Sequence, residues 1–413
     1  LFSRSVNEHI LLFVAHQIAA DSESLLILVK NFVAIYDSIL NGNSPNLTLT
    51  NTTNTNIYNY TNYIQKELNF INSESGKQAL NYWQQKLSSQ LPVLELPFNS
   101  SRPTIRTYNG ASIELAIKPQ LSQQIKQLAS KQTVTVEEIL LAVFKVLLYR
   151  YTGEEDILVG LLHRENQPSF EGVVGNLTNV AVVRDSICGN IKFTDFLSQV
   201  SKTLFEIENY KHYPFTLLIK QNKSSDLSHP PICQVSFSKV NRENLLQSKE
   251  LELEHYQLPQ QKVDFELSLE IIELPESFNA CFNYNSDILE AATVAQIAEH
   301  YQNLLAAIID NPQTTVGKLP KLSDSEKQQI LVKRNETKTD YDLSYCLHQL
   351  FAAQVEKTPN TVAVVFEGEE LTYRQLNNRA NKLAHYLKKL GVKPETKVGF
   401  CVERSLEMVV GLL

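Results

Sequence analysis

Apolar residues in this chain come in short blocks separated by polar corners, and their spacing alternates between strand-like runs and helical periods. Ile10 to Ala15 (ILLFVA) is a compact apolar run of buried-strand type. The polar corner HQIAADS follows, and from Glu23 to Leu40 the apolar positions recur with helical period. Strand, loop and helix are therefore expected in that order. Ser22 suits the helix N-cap, and Asp21 and Glu23 lie where the helix dipole favours acids. From Asn41 to Asn62 the chain is crowded with Asn and Thr, a composition that buries little and predicts a surface loop. A helix from Ser75 to Leu87 carries Trp83, and the Pro-punctuated LPVLELPFNSSRP that follows predicts an extended traverse.

Two helical patterns lie between Pro119 and Arg150, the second (VEEILLAVFKVLLYR) apolar on most sides. The turn Thr152-Gly153 then leads to a strand over Asp156 to Leu162. Further strands are expected at Asn179 to Arg184, Ile232 to Ser238, Asp264 to Ile272 and Phe278 to Asn285. Helices at Phe193 to Tyr210, Pro214 to Lys220 and Ala291 to Asp310 separate or close them. Strands alternating with helices predict an α/β fold. Asn311 to Tyr345 breaks the rhythm with Pro312, Pro320 and alternating Lys, Asp and Ser, a polar connector. A second α/β series follows: helix Leu347 to Lys357, strand Thr361 to Phe366, turn Glu367-Gly368, helix Thr372 to Leu390, strand Lys397 to Val402 and a helix starting at Arg404.

Composition narrows the function. With 413 residues, 43% apolar and 20% charged, the chain can bury more than one core. Its 38 Lys and Arg against 45 Asp and Glu give a net charge of −7 with no basic block, which argues against nucleic acid as partner. The five cysteines are scattered singly, without CxxC pairs or histidines at ligand spacing, so neither a zinc site nor a disulfide framework is signalled; a reducing cytoplasm is the expected location. No run is long enough to cross a bilayer, and the start lacks the build of a signal peptide. The sequence opens on Leu and stops in mid-pattern at Val-Val-Gly-Leu-Leu, as a piece of a longer protein would.

The corner at residues 16–22 is where chemistry is expected, because a polar loop at a strand end is rigid and opens on a crevice. Taken alone, a single His beside a helix start is more often a structural residue. The surrounding motifs change that weight. Residues 1 to about 320 resemble the condensation domains of nonribosomal peptide synthetases, whose central motif HHxxxDG is matched by His16-Gln17-Ile18-Ala19-Ala20-Asp21-Ser22. YTNYIQKE (Tyr60 to Glu67), NYWQQKL (Asn81 to Leu87), LLYRYTGEEDILVG (Leu147 to Gly160), GVVGNLTNVAVVR (Gly172 to Arg184), YKHYPF (Tyr210 to Phe215) and HPPICQVSF (His229 to Phe237) follow in the family's order. From about residue 346 the chain is similar to the opening of an adenylation domain, with Leu371-Thr372-Tyr373-Arg374-Gln375-Leu376 as its first motif.

The resemblance implies an α/β, two-lobed fold related to chloramphenicol acetyltransferase with its N-terminal lobe incomplete, over residues 1–315. A linker over 316–345 and the first units of an AMP-binding domain over 346–413 complete the expected organisation. It implies amide formation between a donor acyl or peptidyl thioester and an acceptor amine, both on the phosphopantetheine arms of upstream and downstream carrier proteins. No cofactor or metal is then bound directly, and the ATP and Mg²⁺ site of an adenylation domain falls outside these residues, so no substrate activation is expected of them. As a fragment the chain is expected to be inactive even where its parent is competent. The candidate site residues are His16, Gln17 and Asp21.

Gln17 stands where the family carries its second His, the residue usually assigned to catalysis, and a neutral amide has no usable proton affinity near pH 7. An alternative register, with one residue bulged so that His16 takes that place, is set against Asp21, Ser22 and Ser24, which fit without insertion. Asp21 matches the motif Asp, which in the family pairs with an Arg and props the loop. Ser22 replaces the motif Gly, GNLTN departs from GxFVN, and YKHYPF lacks the charges of HxDxPF. The departures leave room for a catalytically silent docking or scaffold module as the second reading. His163-Arg164-Glu165 reads as a solvated turn, and Tyr108, His212, Trp83 and the cysteines as packing or surface residues.

Overall fold

The structure is a computed structural model, which describes residues 1–43, 59–165, 167–221, 226–241, 248, 251–254, 258, 260–340 and 344–413. It divides into two compact units, residues 1–328 and 329–413. The first unit opens with a short antiparallel pair, β1 (Phe2–Ser3) and β2 (His9–Ile10), followed by helix α1 (Ser22–Leu40). Helices α2 (Tyr60–Asn72) and α3 (Glu74–Lys86) come next, then strand β3 (Gly110–Ile117) and helices α4 (Pro119–Gln132) and α5 (Val136–Thr152). Strands β4 (Asp156–Arg164) and β5 (Thr178–Ser186) form a hairpin-like pair before helices α6 (Phe193–Ile207) and α7 (Phe215–Gln221). Strands β6 (Val235–Asn241), β7 (Leu267–Glu273) and β8 (Phe278–Asn285) complete the sheet, and helices α8 (Ala291–Asp310) and α9 (Asp324–Leu331) follow.

The main sheet has six strands in the order β3-β8-β7-β6-β4-β5, with parallel pairs at β4/β6 and β6/β7 and antiparallel pairs elsewhere. The core centres on α5, whose residues Ile139 to Leu148 are all buried. A Leu, Ile or Phe side chain taken fully out of water contributes roughly 1.5–3 kcal/mol, so this helix is a principal source of stability. A capping box of Thr135 and Glu138 starts α5, and Gly153, at φ +74°, ends it in the left-handed conformation that glycine adopts without strain. Lys145 is the polar exception in its middle: Nζ reaches the Asp185 carboxylate at 2.5 Å and the Val183 carbonyl at 2.8 Å. Thr203 donates to the other Asp185 oxygen, so the buried pair is fully partnered.

Several expectations change. Of the apolar run ILLFVA only Ile10 lies in a strand, while Leu11, Leu12 and Val14 are exposed. An apolar strand needs neighbours for its backbone, and here only the two residues of β1 pair with this stretch. Asp21, not Ser22, is the N-cap of α1. Tyr60 to Asn62, expected in the Asn/Thr loop, form the first turn of α2, capped by Asn59; residues 44–58 of that loop lie outside the described residues. Strand β3 was not anticipated, since its alternating GASIELAI is only half-buried at a sheet edge.

The connector begins on the first unit. Val316 and Leu319 are buried, Arg150 donates to both of their carbonyls, and Thr315 bridges to Lys192. Glu326 accepts from Ser323 at the start of α9 and from His300 Nε2 at 2.9 Å. Burial disfavours charge on Glu326, but the Ser323, Gln296 and His300 bonds outweigh it and bring the carboxyl down to about 2.

The second unit contains α10 (Leu347–Lys357), the antiparallel strands β9 (Val362–Phe366) and β10 (Glu369–Thr372), α11 (Tyr373–Lys389) and α12 (Leu406–Leu412). Glu367 and Gly368 both have positive φ, as a two-residue hairpin turn requires. The strand expected over Lys397 to Val402 is absent: Val398, Phe400 and Val402 are exposed and unpaired in sheet. Among the described residues no helix is long and apolar enough to cross a membrane.

Candidate functional site

The corner HQIAADS is a tight turn leading into α1. The His16 carbonyl accepts from the amides of Ala19 (2.8 Å) and Ala20 (3.2 Å), and His16 Nδ1 accepts from the Ile18 amide at 3.2 Å. His16 and Gln17 are exposed, and so are Ile18 and Ala19. Burial begins at Ala20 and deepens at Asp21, which is 4% exposed.

Asp21 is the hub. One carboxylate oxygen accepts from the Ser24 amide (2.9 Å) and the Ser24 hydroxyl (2.7 Å). The other accepts from Arg164 Nε (3.1 Å), the Leu177 amide (3.0 Å) and the Thr178 hydroxyl (3.1 Å). Burial alone would raise its pKa, but the Ser24 bonds, the Arg164 guanidinium and the Leu177 amide together hold the carboxyl below the usual range. Arg164 also donates to the Val173 carbonyl at 2.6 Å, so its fork is shared between the corner and the loop that leads into β5.

The same loop closes on the corner through its backbone. The Gly175 carbonyl accepts from the Asp21 amide (3.1 Å) and lies 2.7 Å from the Ser24 hydroxyl oxygen, which accepts from the Gly175 amide at 3.0 Å. Ser24 is wholly buried. HQIAADS, far away in sequence, therefore forms one hydrogen-bonded unit with HRE and GNLTN at the C-terminal end of β4.

Strand pairing explains how. Arg164 lies opposite Thr178 and His163 opposite Asn179 in the β4/β5 register. Successive residues of a strand point to opposite faces, so the Arg164/Thr178 pair reaches Asp21 while the His163/Asn179 pair reaches the other way. There His163 Nε2 (3.0 Å) and Asn179 Nδ2 (2.9 Å) both donate to the Lys211 carbonyl, within YKHYPF. Asn179 also donates to the Tyr213 carbonyl and accepts from the Phe215 amide.

Because the Lys211 carbonyl can only accept, His163 carries its proton on Nε2, and its buried Nδ1 has no hydrogen-bond partner among the described residues. Burial, with the Lys211 charge, pushes the imidazole down to about 4 and keeps it neutral. His163-Arg164-Glu165 is thus no solvated turn. Glu165, 7% exposed, accepts from Lys66 at 2.9 Å and lies 3.5 Å from His212 Nδ1. Arg164 is the residue that sequence reasoning missed: its partner lies 143 positions away, and only the strand ending DILVGLL hinted at its place. Trp83 is a buried packing residue whose Nε1 donates to the Tyr210 carbonyl at 3.0 Å.

Chemically the corner offers one imidazole, one carboxamide and backbone groups on an exposed turn, held by a buried carboxylate. Among the described residues no cluster of His, Cys, Asp and Glu could hold a metal ion.

Known proteins match this chain throughout. The family described as Condensation domain matches residues 1–331, and that described as AMP-binding enzyme matches residues 351–413. Gramicidin S synthase 2 of Brevibacillus brevis is 31% identical over 98% of this chain and 9% of its own length. Tyrocidine synthase 3 of Brevibacillus parabrevis is 30% identical over 100% of this chain and 6% of its own length. The chain thus spans less than a tenth of the length of these curated relatives. Among solved structures, a four-domain nonribosomal peptide synthetase bound to AMP and glycine aligns with TM-score 0.74 at 17% identity, over 91% of this chain and 29% of that one. The X-domain from teicoplanin biosynthesis in complex with OxyB aligns at 0.65 and 18%, over 75% of this chain and 69% of that one. At these identities the likeness is one of fold.

Proposed function

The chain belongs to the condensation-domain family, and on that premise we propose that its first unit is a condensation domain of a nonribosomal peptide synthetase that forms amides at the His16-Gln17 corner. The observation that supports this most is the Asp21–Arg164 hub, which fixes the corner at a strand end while leaving its first two side chains accessible. The reactants are an acceptor amine and an upstream acyl or peptidyl thioester, each carried on the phosphopantetheine arm of a carrier protein. The neutral amine nitrogen attacks the thioester carbonyl; the C–N bond forms, the C–S bond breaks, and the proton lost from nitrogen ends on the departing thiol.

Gln17 cannot take that proton, so its part is to orient the amine or the carbonyl by hydrogen bonds. General base catalysis is typically worth ~10²–10⁴-fold, and proximity of two tethered reactants supplies the rate that remains. Asp21 is a positioning residue: buried and saturated with donors, it sets the turn and touches no reactant.

One observation, glutamine in place of a base, favours a second reading in which the domain is silent and serves to dock a carrier or a tailoring enzyme. The teicoplanin X-domain, which shares the fold, is solved in complex with OxyB. Intact mass of the acceptor carrier, after the complete parent synthetase meets a loaded donor carrier, separates the two. A mass gain by the acyl group is the expected result. No gain, with gain restored by Gln17→His, would replace the catalytic reading by the docking one.

A further inference from the structure

We propose that helix α2 is a strap that holds the reacting corner through Gly175, with Tyr60 as its positioning residue. Tyr60, Tyr63 and Lys66 follow one another at three-residue spacing and so share a face of α2. Each grips the segment that joins β4 to β5. The Tyr60 ring lies directly on Gly175: a Cβ there would stand 2.2 Å from Tyr60 Cδ2. The φ of Gly175 is not in the left-handed region, so space rather than backbone freedom demands glycine. The Tyr60 hydroxyl donates to the Asn176 carbonyl at 3.4 Å.

One turn on, Tyr63 stacks on Tyr60 with ring centroids 6.0 Å apart and meets the Phe170 ring edge-on at 5.7 Å. At the next turn Lys66 Nζ donates to Glu165 (2.9 Å) and Gln167 (2.7 Å) and lies 4.9 Å over the Phe170 ring. Phe170, Val173 and Leu177 form a small buried cluster of their own, apart from the main core, with Tyr60 and Tyr63 packed against it. The segment gripped from one side by α2 grips the corner on the other, since the Gly175 carbonyl and the Leu177 amide bond to Asp21. Tyr60 thus acts on the hub through Gly175, and its ring limits how far Gly175 can draw back from Asp21. A small cluster held by one helix face opens more readily than the main core, which makes the corner adjustable from α2.

The consequence for rate rests on the proposed amide-forming function; the strap itself does not. Hydrogen exchange on the full chain tests it with two variants. Tyr60→Phe keeps the ring and should exchange as the native protein does. Tyr60→Ala should speed exchange of the Asp21, Ser24 and Leu177 amides by ~10-fold or more, with the β5 and β7 amides unchanged. Unchanged corner amides in Tyr60→Ala, equal acceleration of the β-sheet, or a Phe variant as labile as the Ala one would each overturn the proposal. In the parent synthetase Tyr60→Ala should lower kcat for carrier-to-carrier transfer and leave KM for the carriers in place. A native synthetase that forms no amide would remove the catalytic reading while the exchange result still decides the strap.

Discussion

The two ends of the corner are built differently. Asp21 and Ser24 are buried, bonded to each other and to two other segments of the first unit, at Arg164 and over Gly175 to Thr178. His16 and Gln17, a few residues earlier, are exposed and belong to a turn closed by the His16 carbonyl and ring nitrogen. At the buried end each group satisfies several others, so one substitution strands several polar atoms in a dry environment. At the exposed end a side chain can change without that cost. Position 17 can therefore vary while the buried hub that holds the turn stays as it is.

The sharpest way to break the contrast is at Arg164. Arg164→Ala should cost about 3 kcal/mol in a denaturant titration, because it leaves the Asp21 carboxylate buried with its charge partner gone. Gly175→Ala should cost about 1–3 kcal/mol by driving the Tyr60 ring off the loop. On the other face of the same strand pair, acidification acts on His163. Its folded imidazole stays neutral down to about 4, whereas in the unfolded chain it protonates at 6.5. The unfolded state therefore binds more protons across that window, and stability falls as pH drops through it, by about 2 kcal/mol after allowance for partial exposure. His163→Gln should flatten that slope. Asp21 adds to it lower down: its depressed carboxyl contributes stability above the ordinary carboxylate range and loses it as pH falls through the folded pKa. Thr178→Val, which removes one donor to Asp21, should cost about 1 kcal/mol. Gln17→His should move the unfolding free energy by less than about 0.5 kcal/mol, as an exposed substitution does.

The elements that the sequence announces most clearly are those with a strong apolar pattern of their own. Helices α5 and α8 and strands β4, β5 and β8 lie close to where the patterns place them, since their buried faces are written in each segment's own apolar pattern, to which α5 adds its capping box. Errors cluster where pairing decides. ILLFVA and the stretch from Lys397 to Val402 have strand composition, yet most of their residues are exposed and outside any sheet. The edge strand β3 forms because β8 offers it a full antiparallel register, which its half-polar pattern does not advertise. At the corner the motif points to His16, Gln17 and Asp21, but Arg164, Thr178 and Gly175 become neighbours of Asp21 only through the sheet. Lys145 was hidden differently, as one cation inside an apolar helix whose counter-ion lies 40 residues on.

The proposal that the corner keeps its architecture while Gln17 supplies no base is tested most directly by single-turnover transfer between carriers in the parent synthetase, native against Gln17→His, from pH 6 to 8. Native transfer that is slow, with the histidine variant ~10²–10⁴-fold faster around neutrality at unchanged stability, is the predicted result. Equal rates in the two proteins, or a variant that gains speed only at the expense of folding, would contradict it.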